Sequence, residues 1–153
     1  MINFKEKIVS GKSIAGIHIG NTIDDILSEV YTKGYELDIQ DFSNNPVPVI
    51  RYIIDKGIIK IVASTKGIVK AIFCSNGYEG RYNDIFYPNM TVDQIIKKSE
   101  YQIFLHGTLM VNKDFGVGYN VPEEYSHLDY VDQLPKDLLL TEMFVMKEDW
   151  WKT

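Results

Sequence analysis

Cys74 is the only cysteine in this chain, so it can form no intrachain disulfide and belongs to no paired-cysteine metal or redox motif. It sits in the apolar run Ala71-Ile72-Phe73-Cys74, where a free thiol is expected to pack as a small hydrophobe. The histidines, His18, His106 and His127, fit none of the HxH, HExxH or paired-His spacings that bring two imidazoles to one zinc ion. His18 alternates with Ile17 and Ile19 and should face away from them. Cys74, His106 and Asp114 supply the residue types of a nucleophile, a base and an orienting acid. A chain of this size contains such a set by chance, and nothing in the spacing gathers these three.

Other chemical signatures are missing. There is no GxSxG nucleophile elbow and no GxxxxGK[ST] phosphate loop. Gly116-Val117-Gly118 stands in an extended context with no helix after it, so it lacks the helix N-terminus that binds phosphate. The acidic stretch Glu123 to Leu134 has no central glycine and the wrong ligand spacing for a calcium loop. The expectation is a protein that is not an enzyme, with no catalytic residue, no metal ligand and no cofactor.

Charge is more informative. The net charge of −5 resides in the last quarter of the chain, because acids and bases cancel over residues 1–119. Residues 120–153 carry Glu123, Glu124, Asp129, Asp132, Asp137, Glu142, Glu148 and Asp149 against Lys136, Lys147 and Lys152. Such a field repels nucleic acid and anionic membrane and attracts a basic partner. Arg51, Tyr52, Lys60, Lys70 and Phe73, with Tyr78, Arg81 and Tyr82 nearby, superficially fit an RNA-binding sheet. Only 2 of the 16 basic residues are arginine and the total charge is negative, so no nucleic-acid partner is expected.

Aromatics interleave with these acids. Tyr78, Tyr82, Tyr119, Tyr125 and Tyr130 lie in polar, loop-rich surroundings and are expected near the surface, whereas Phe42, Phe73, Phe86 and Phe104 should fill the core. Exposed tyrosine beside carboxylates suits a protein-binding surface, since it combines rigid contact area with charge that steers encounter. Glu123, Glu124, Tyr125, Asp129, Tyr130 and Asp132 are therefore the candidate binding residues.

The elements that position them follow from periodicity. Residues 2–9 fit a short helix or a strand, and the following Ala15–Gly20 reads as a brief extended stretch. Thr22 should N-cap a helix through its hydroxyl, with Asp24 and Asp25 at the positive end of the dipole. Ile23, Ile26, Leu27, Val30 and Tyr31 form its apolar stripe, and Lys33-Gly34 closes it. Tyr35, Leu37 and Ile39 then alternate inward against Glu36, Asp38 and Gln40. Val49–Asp55, Ile58–Ser64 and Ile68–Ser75, separated by tight turns, should form an antiparallel meander. A second helix opens at Thr91, where Thr91-Val92-Asp93-Gln94 has the form of a capping box. Tyr101–Gly107, Thr108–Asp114 and Gly116–Pro122 read as three more strands, 122–140 as loop or weak helix, and Thr141–Trp151 as a last strand. Chain length and composition fit one α+β domain, 1–153, with a curved, mainly antiparallel sheet of about six to eight strands and two or three packed helices.

Two helix starts echo each other, Thr22-Ile23-Asp24-Asp25-Ile26-Leu27 and Thr91-Val92-Asp93-Gln94-Ile95-Ile96. The pattern GIxxGxTxxDIL at Gly16–Leu27, followed by short strands, resembles small bacterial immunity proteins of polymorphic toxin and contact-dependent growth inhibition systems. The likeness covers about the first 75 residues and is shared with several other small α+β families, the β-lactamase-inhibitor-like fold among them. It implies a bacterial protein that binds the C-terminal domain of a cognate toxin, a basic nuclease for example, and blocks it as a monomer or weak homodimer. The rival expectation is a small-molecule-binding or enzymatic α+β domain with a pocket on the sheet, lined by His106, Cys74 and tyrosines. The opening residues place a glutamate where a signal peptide would be apolar, and no apolar run approaches the roughly 20 residues of a membrane span. A cytoplasmic location away from the membrane is expected.

Overall fold

The structure, a computed structural model, describes residues 1–152. A small hairpin, β1 (Ser13–Ile14) and β2 (Ile17–His18), leads into helix α1 (Ile23–Lys33). Four strands follow: β3 (Leu37–Phe42), β4 (Val49–Ile54), β5 (Ile59–Ser64) and β6 (Val69–Cys74). After an irregular stretch come β7 (Met90–Thr91) and helix α2 (Val92–Lys98), then β8 (Gln102–Leu105), β9 (Thr108–Val111) and β10 (Val117–Asn120). A long loop with two 3-10 turns reaches β11 (Leu139–Leu140) and β12 (Glu142–Met146). Eight strands form one open antiparallel sheet in the order β3-β4-β5-β6-β12-β10-β9-β8, and β11 pairs with β7 apart from it. This fits the expected curved sheet with few helices.

The order is a palindrome of two similar halves. Each half is a helix opened by a threonine and followed by four antiparallel strands, and the halves join where β6 pairs with β12. At that seam Phe73 lies opposite Phe144 and Ile72 opposite Val145. The helix starts are held alike too. The Ile23 N–H donates to the Gly67 carbonyl at 2.7 Å, and Thr22 bridges Ile68, just ahead of β6. The Val92 N–H donates to the Leu138 carbonyl at 2.9 Å, and Thr91 pairs with Leu139, just ahead of β12. The sequence echo is thus matched by an architectural one. The halves differ most in the third connection, four residues (65–68) in the first and the long loop after β10 in the second.

Side-chain capping distinguishes the two helices. At α2 the Gln94 N–H donates to Thr91 Oγ1 at 3.1 Å and the Thr91 N–H donates to Gln94 Oε1 at 2.9 Å, so the expected box is complete. At α1 the Thr22 hydroxyl makes no capping bond, contrary to expectation; the bridge to Ile68 and the Gly67 carbonyl tie down that end through the backbone. Gly34 closes α1 in the left-handed conformation (φ 72°), where glycine lacks the Cβ clash that penalises other residues.

One face of the sheet carries Ile54, Ile59, Cys74, Met143, Tyr119 and Leu109 in a row across successive strands. These join Ile23, Ile26 and Val30 of α1 and Val92 and Ile95 of α2 in one buried cluster. Burying each such side chain stabilises the fold by about 1.5–3 kcal/mol. Met143, Phe144 and Val145 are all buried because β12 lies inside the sheet with both faces covered. Phe144 meets Trp150 edge-on on the other face and crosses Gly118, whose missing side chain leaves it room: a Cβ there would stand 2.9 Å from Phe144 Cζ.

Several expectations need correction. Residues 2–9 form neither helix nor strand; Ile8 and Val9 make only isolated bridges, to Tyr82 and Ser13. Ile39 is 49% exposed because β3 is the outermost strand of its half. Phe42, Phe73 and Phe104 are half-buried, unlike Phe86, and Phe42 lies under the Arg51 guanidinium at 5.3 Å.

Candidate functional site

The long loop of the second half carries all six candidate residues. Pro122 precedes a 3-10 turn, Glu123–Tyr125, in which the Tyr125 N–H donates to the Pro122 carbonyl at 2.9 Å and Ser126 Oγ to the Glu123 carbonyl at 2.7 Å. A second turn, Val131–Gln133, is locked from outside its own backbone. Gln133 Oε1 accepts from the N–H groups of both Asp129 and Tyr130, at 3.0 Å each. Leu134 is buried, and Tyr125, Leu128, Val131 and Leu138 pack against the core. The loop is therefore pinned by its apolar residues while its acids stay outside.

Glu123, Glu124, Asp129 and Asp132 are exposed, and among the described residues none of them forms an ion pair. Tyr130, 68% exposed, stands between Asp129 and Asp132. Tyr125 is half-buried and contributes to anchoring the loop. The result is an ordered loop that exposes four carboxylates and the Tyr130 ring, able to attract a cationic face.

The other tyrosines expected at the surface are inside. Tyr78, Tyr82 and Tyr119 are nearly inaccessible, because each phenol reaches a polar group within the protein. Tyr78 donates to the Glu6 carbonyl at 2.5 Å and accepts from the Ala15 N–H at 2.9 Å. Tyr119 donates to the Tyr87 carbonyl at 3.0 Å. Tyr82 donates to Asp114 at 2.6 Å. Polar sequence around these residues reflects the loops they cross-link, not the exposure of their rings.

Nucleophilic chemistry finds no constellation. Cys74 is fully buried between β5 and β12, and burial, reinforced by the charge of Glu142, pushes its thiol pKa up and disfavours the thiolate. His106 sits in the β8–β9 turn, at the outer end of the other half. Asp114 accepts from Tyr82, from Ser10 Oγ and from the Gly116 N–H at 3.0 Å, which occupies both of its oxygens structurally. It lines a cleft of about 490 Å³ together with Lys7, Lys12 and Arg81. Ser10 and Asp114 are 104 residues apart, and nothing in the sequence announces their contact. Among the described residues no three His, Cys, Asp or Glu side chains gather as metal ligands would, and no helix is long and apolar enough to cross a membrane.

A second group of acids lies at the outer edge of the first half. Glu36, Asp38 and Asp41 lie on and beside β3, and Asp24 of α1 is close enough that its charge and that of Asp41 add to burial in raising the Tyr52 pKa. Summing charge over 119 residues hides this cluster, whereas the alternation Glu36-Leu37-Asp38-Ile39 displays it. Comparison with known proteins finds no matching family, no matching curated protein and no matching solved structure.

Proposed function

We propose that this chain is a non-enzymatic immunity protein that neutralises a cognate bacterial toxin domain by direct binding. The loop 122–134 is its contact surface, with Glu123, Glu124, Asp129 and Asp132 steering a basic partner and Tyr130 seated in it. The observation that carries the reading is the combination of an internally locked loop with carboxylates that, among the described residues, form no ion pair. A loop ordered before binding loses little entropy on association, and unpaired surface charge raises the encounter rate. The location follows from this role: a toxin that acts inside the cell has to be met in the cytoplasm.

The test is to identify a toxin domain encoded next to this chain's gene, mix it with the purified chain and follow both complex formation by calorimetry and toxin activity. Stoichiometric binding with loss of activity supports the reading, and absence of binding removes it. The rival, a ligand-binding role, would use the cleft above Asp114 in place of Cys74 and His106. A small molecule that co-purifies with the protein and protects Lys12 and Arg81 from chemical modification would favour it.

A further inference from the structure

The two halves of the sheet end in topologically equivalent strands, β3 and β8, yet they are finished differently. In the second half the turn Val131–Gln133 packs beside β8, and Ser126 lies against Gly107 in the β8–β9 turn. The first half has only a four-residue connection at the corresponding place, and among the described residues β3 pairs with β4 alone.

The unpaired edge can be specified residue by residue. The Asp55 N–H donates to the Glu36 carbonyl at 2.9 Å, and Glu36 stands opposite Asp55 in the register that sets Leu37 opposite Ile54. Antiparallel ladders alternate, so Glu36, Asp38, Gln40 and Phe42 direct their backbone groups to β4, while Leu37, Ile39 and Asp41 direct theirs outward. Edge strands are commonly protected by charged side chains, lysine above all, by proline or by a bulge. β3 has no lysine, proline or bulge, and its pairing with β4 is regular over all six residues. Its charged side chains are Asp38 and Asp41, which exclude a like-charged strand and not a basic one. Ile39 is half exposed, and the hairpin tip beyond it holds Val47 at 75% exposure.

We propose that β3 is a docking edge for an extended, basic polypeptide segment, which adds to the sheet as a ninth, antiparallel strand. Charge selects this occupant. Glu36, Asp38 and Asp41 give residues 35–42 three negative charges and no positive one. A second copy would bring its own Glu36, Asp38 and Asp41 to neighbouring positions across the edge, like charge against like. Lysine or arginine at those positions of an incoming strand would pair with the same carboxylates. This edge lies at the opposite end of the sheet from the loop 122–134, so the inference stands apart from the proposed toxin contact.

The test uses the full chain, labelled for amide exchange, and a short extended peptide of lysine and valine. Exchange at Leu37, Ile39 and Asp41 should slow by about tenfold on adding the peptide. A glutamate-for-lysine peptide and a backbone N-methylated peptide should both leave it unchanged. The variant D38K/D41K, with an unaltered melting temperature to show that it folds, should lose the protection. The proposal is overturned if the lysine peptide leaves these three amides unprotected or protects the 122–134 loop in their place. It is equally overturned if they become protected simply by raising protein concentration, which would make the occupant a second copy.

Discussion

Tyr82 donates its phenol hydrogen to Asp114 at 2.6 Å, joining the irregular stretch before α2 to the β9–β10 turn across 32 residues of sequence. The same carboxylate accepts from Ser10, so one acid holds three distant segments together. Replacing Tyr82 by Phe removes a bond to a charged acceptor in a nearly inaccessible site. It should destabilise the protein by about 2 kcal/mol, read as a lower urea midpoint with an unchanged slope.

Buried acids of high pKa make the fold sensitive to alkali. Cys74, Tyr78, Tyr82 and Tyr119 all have folded-state pKa values raised above their ordinary values, chiefly by burial. A raised folded pKa means that the native state holds its proton more tightly than the unfolded chain. The stabilisation is fully present below the unfolded values of 9.0 for the thiol and 10.0 for the phenols, and it is lost as pH climbs above them. Urea midpoints should therefore fall progressively above about pH 9, and a Cys74→Ser/Tyr82→Phe double variant should show a shallower decline.

The two threonine helix starts should respond unequally to the same substitution. Thr91→Ala removes a hydroxyl that accepts the Gln94 N–H and should cost about 1 kcal/mol. Thr22→Ala removes a hydroxyl with no capping bond and should cost less than about 0.5 kcal/mol. Chemical denaturation of the pair measures the difference, and equal losses would contradict the assignment.

Gly118→Ala should be costly for a reason of space. Its Cβ would stand 2.8 Å from the Leu109 carbonyl oxygen and 2.9 Å from Phe144 Cζ, so strand β10 or the Phe144 ring must shift. A loss of about 1–3 kcal/mol is expected, seen as a lower melting temperature.

How much of this was legible beforehand depends on whether the signal is local. The meander β4–β5–β6, the Gly34 terminus and the Thr91–Gln94 box are written in adjacent residues, and the sequence displays each of them. The placing of β12 between β6 and β10 is a long-range choice. Met143, Phe144 and Val145 form an apolar run without alternation, the pattern of a strand covered on both faces. Tyr78, Tyr82 and Tyr119 have polar neighbours in sequence, which suggests exposure, but their partners in space are 72, 32 and 32 residues away. The acids of the 122–134 loop were legible as charge, but the glutamine lock and the apolar pins that order them were not.

The central claim is tested most directly by stopped-flow association of the chain with the toxin domain proposed as its partner, comparing wild type with the Glu123→Lys/Asp129→Lys variant at low and high salt. If the loop steers and seats the partner, the association rate should fall on the order of tenfold or more at low salt, and the difference should shrink as salt screens it. An association rate unchanged by the double reversal would contradict the claim and place the contact elsewhere on the molecule.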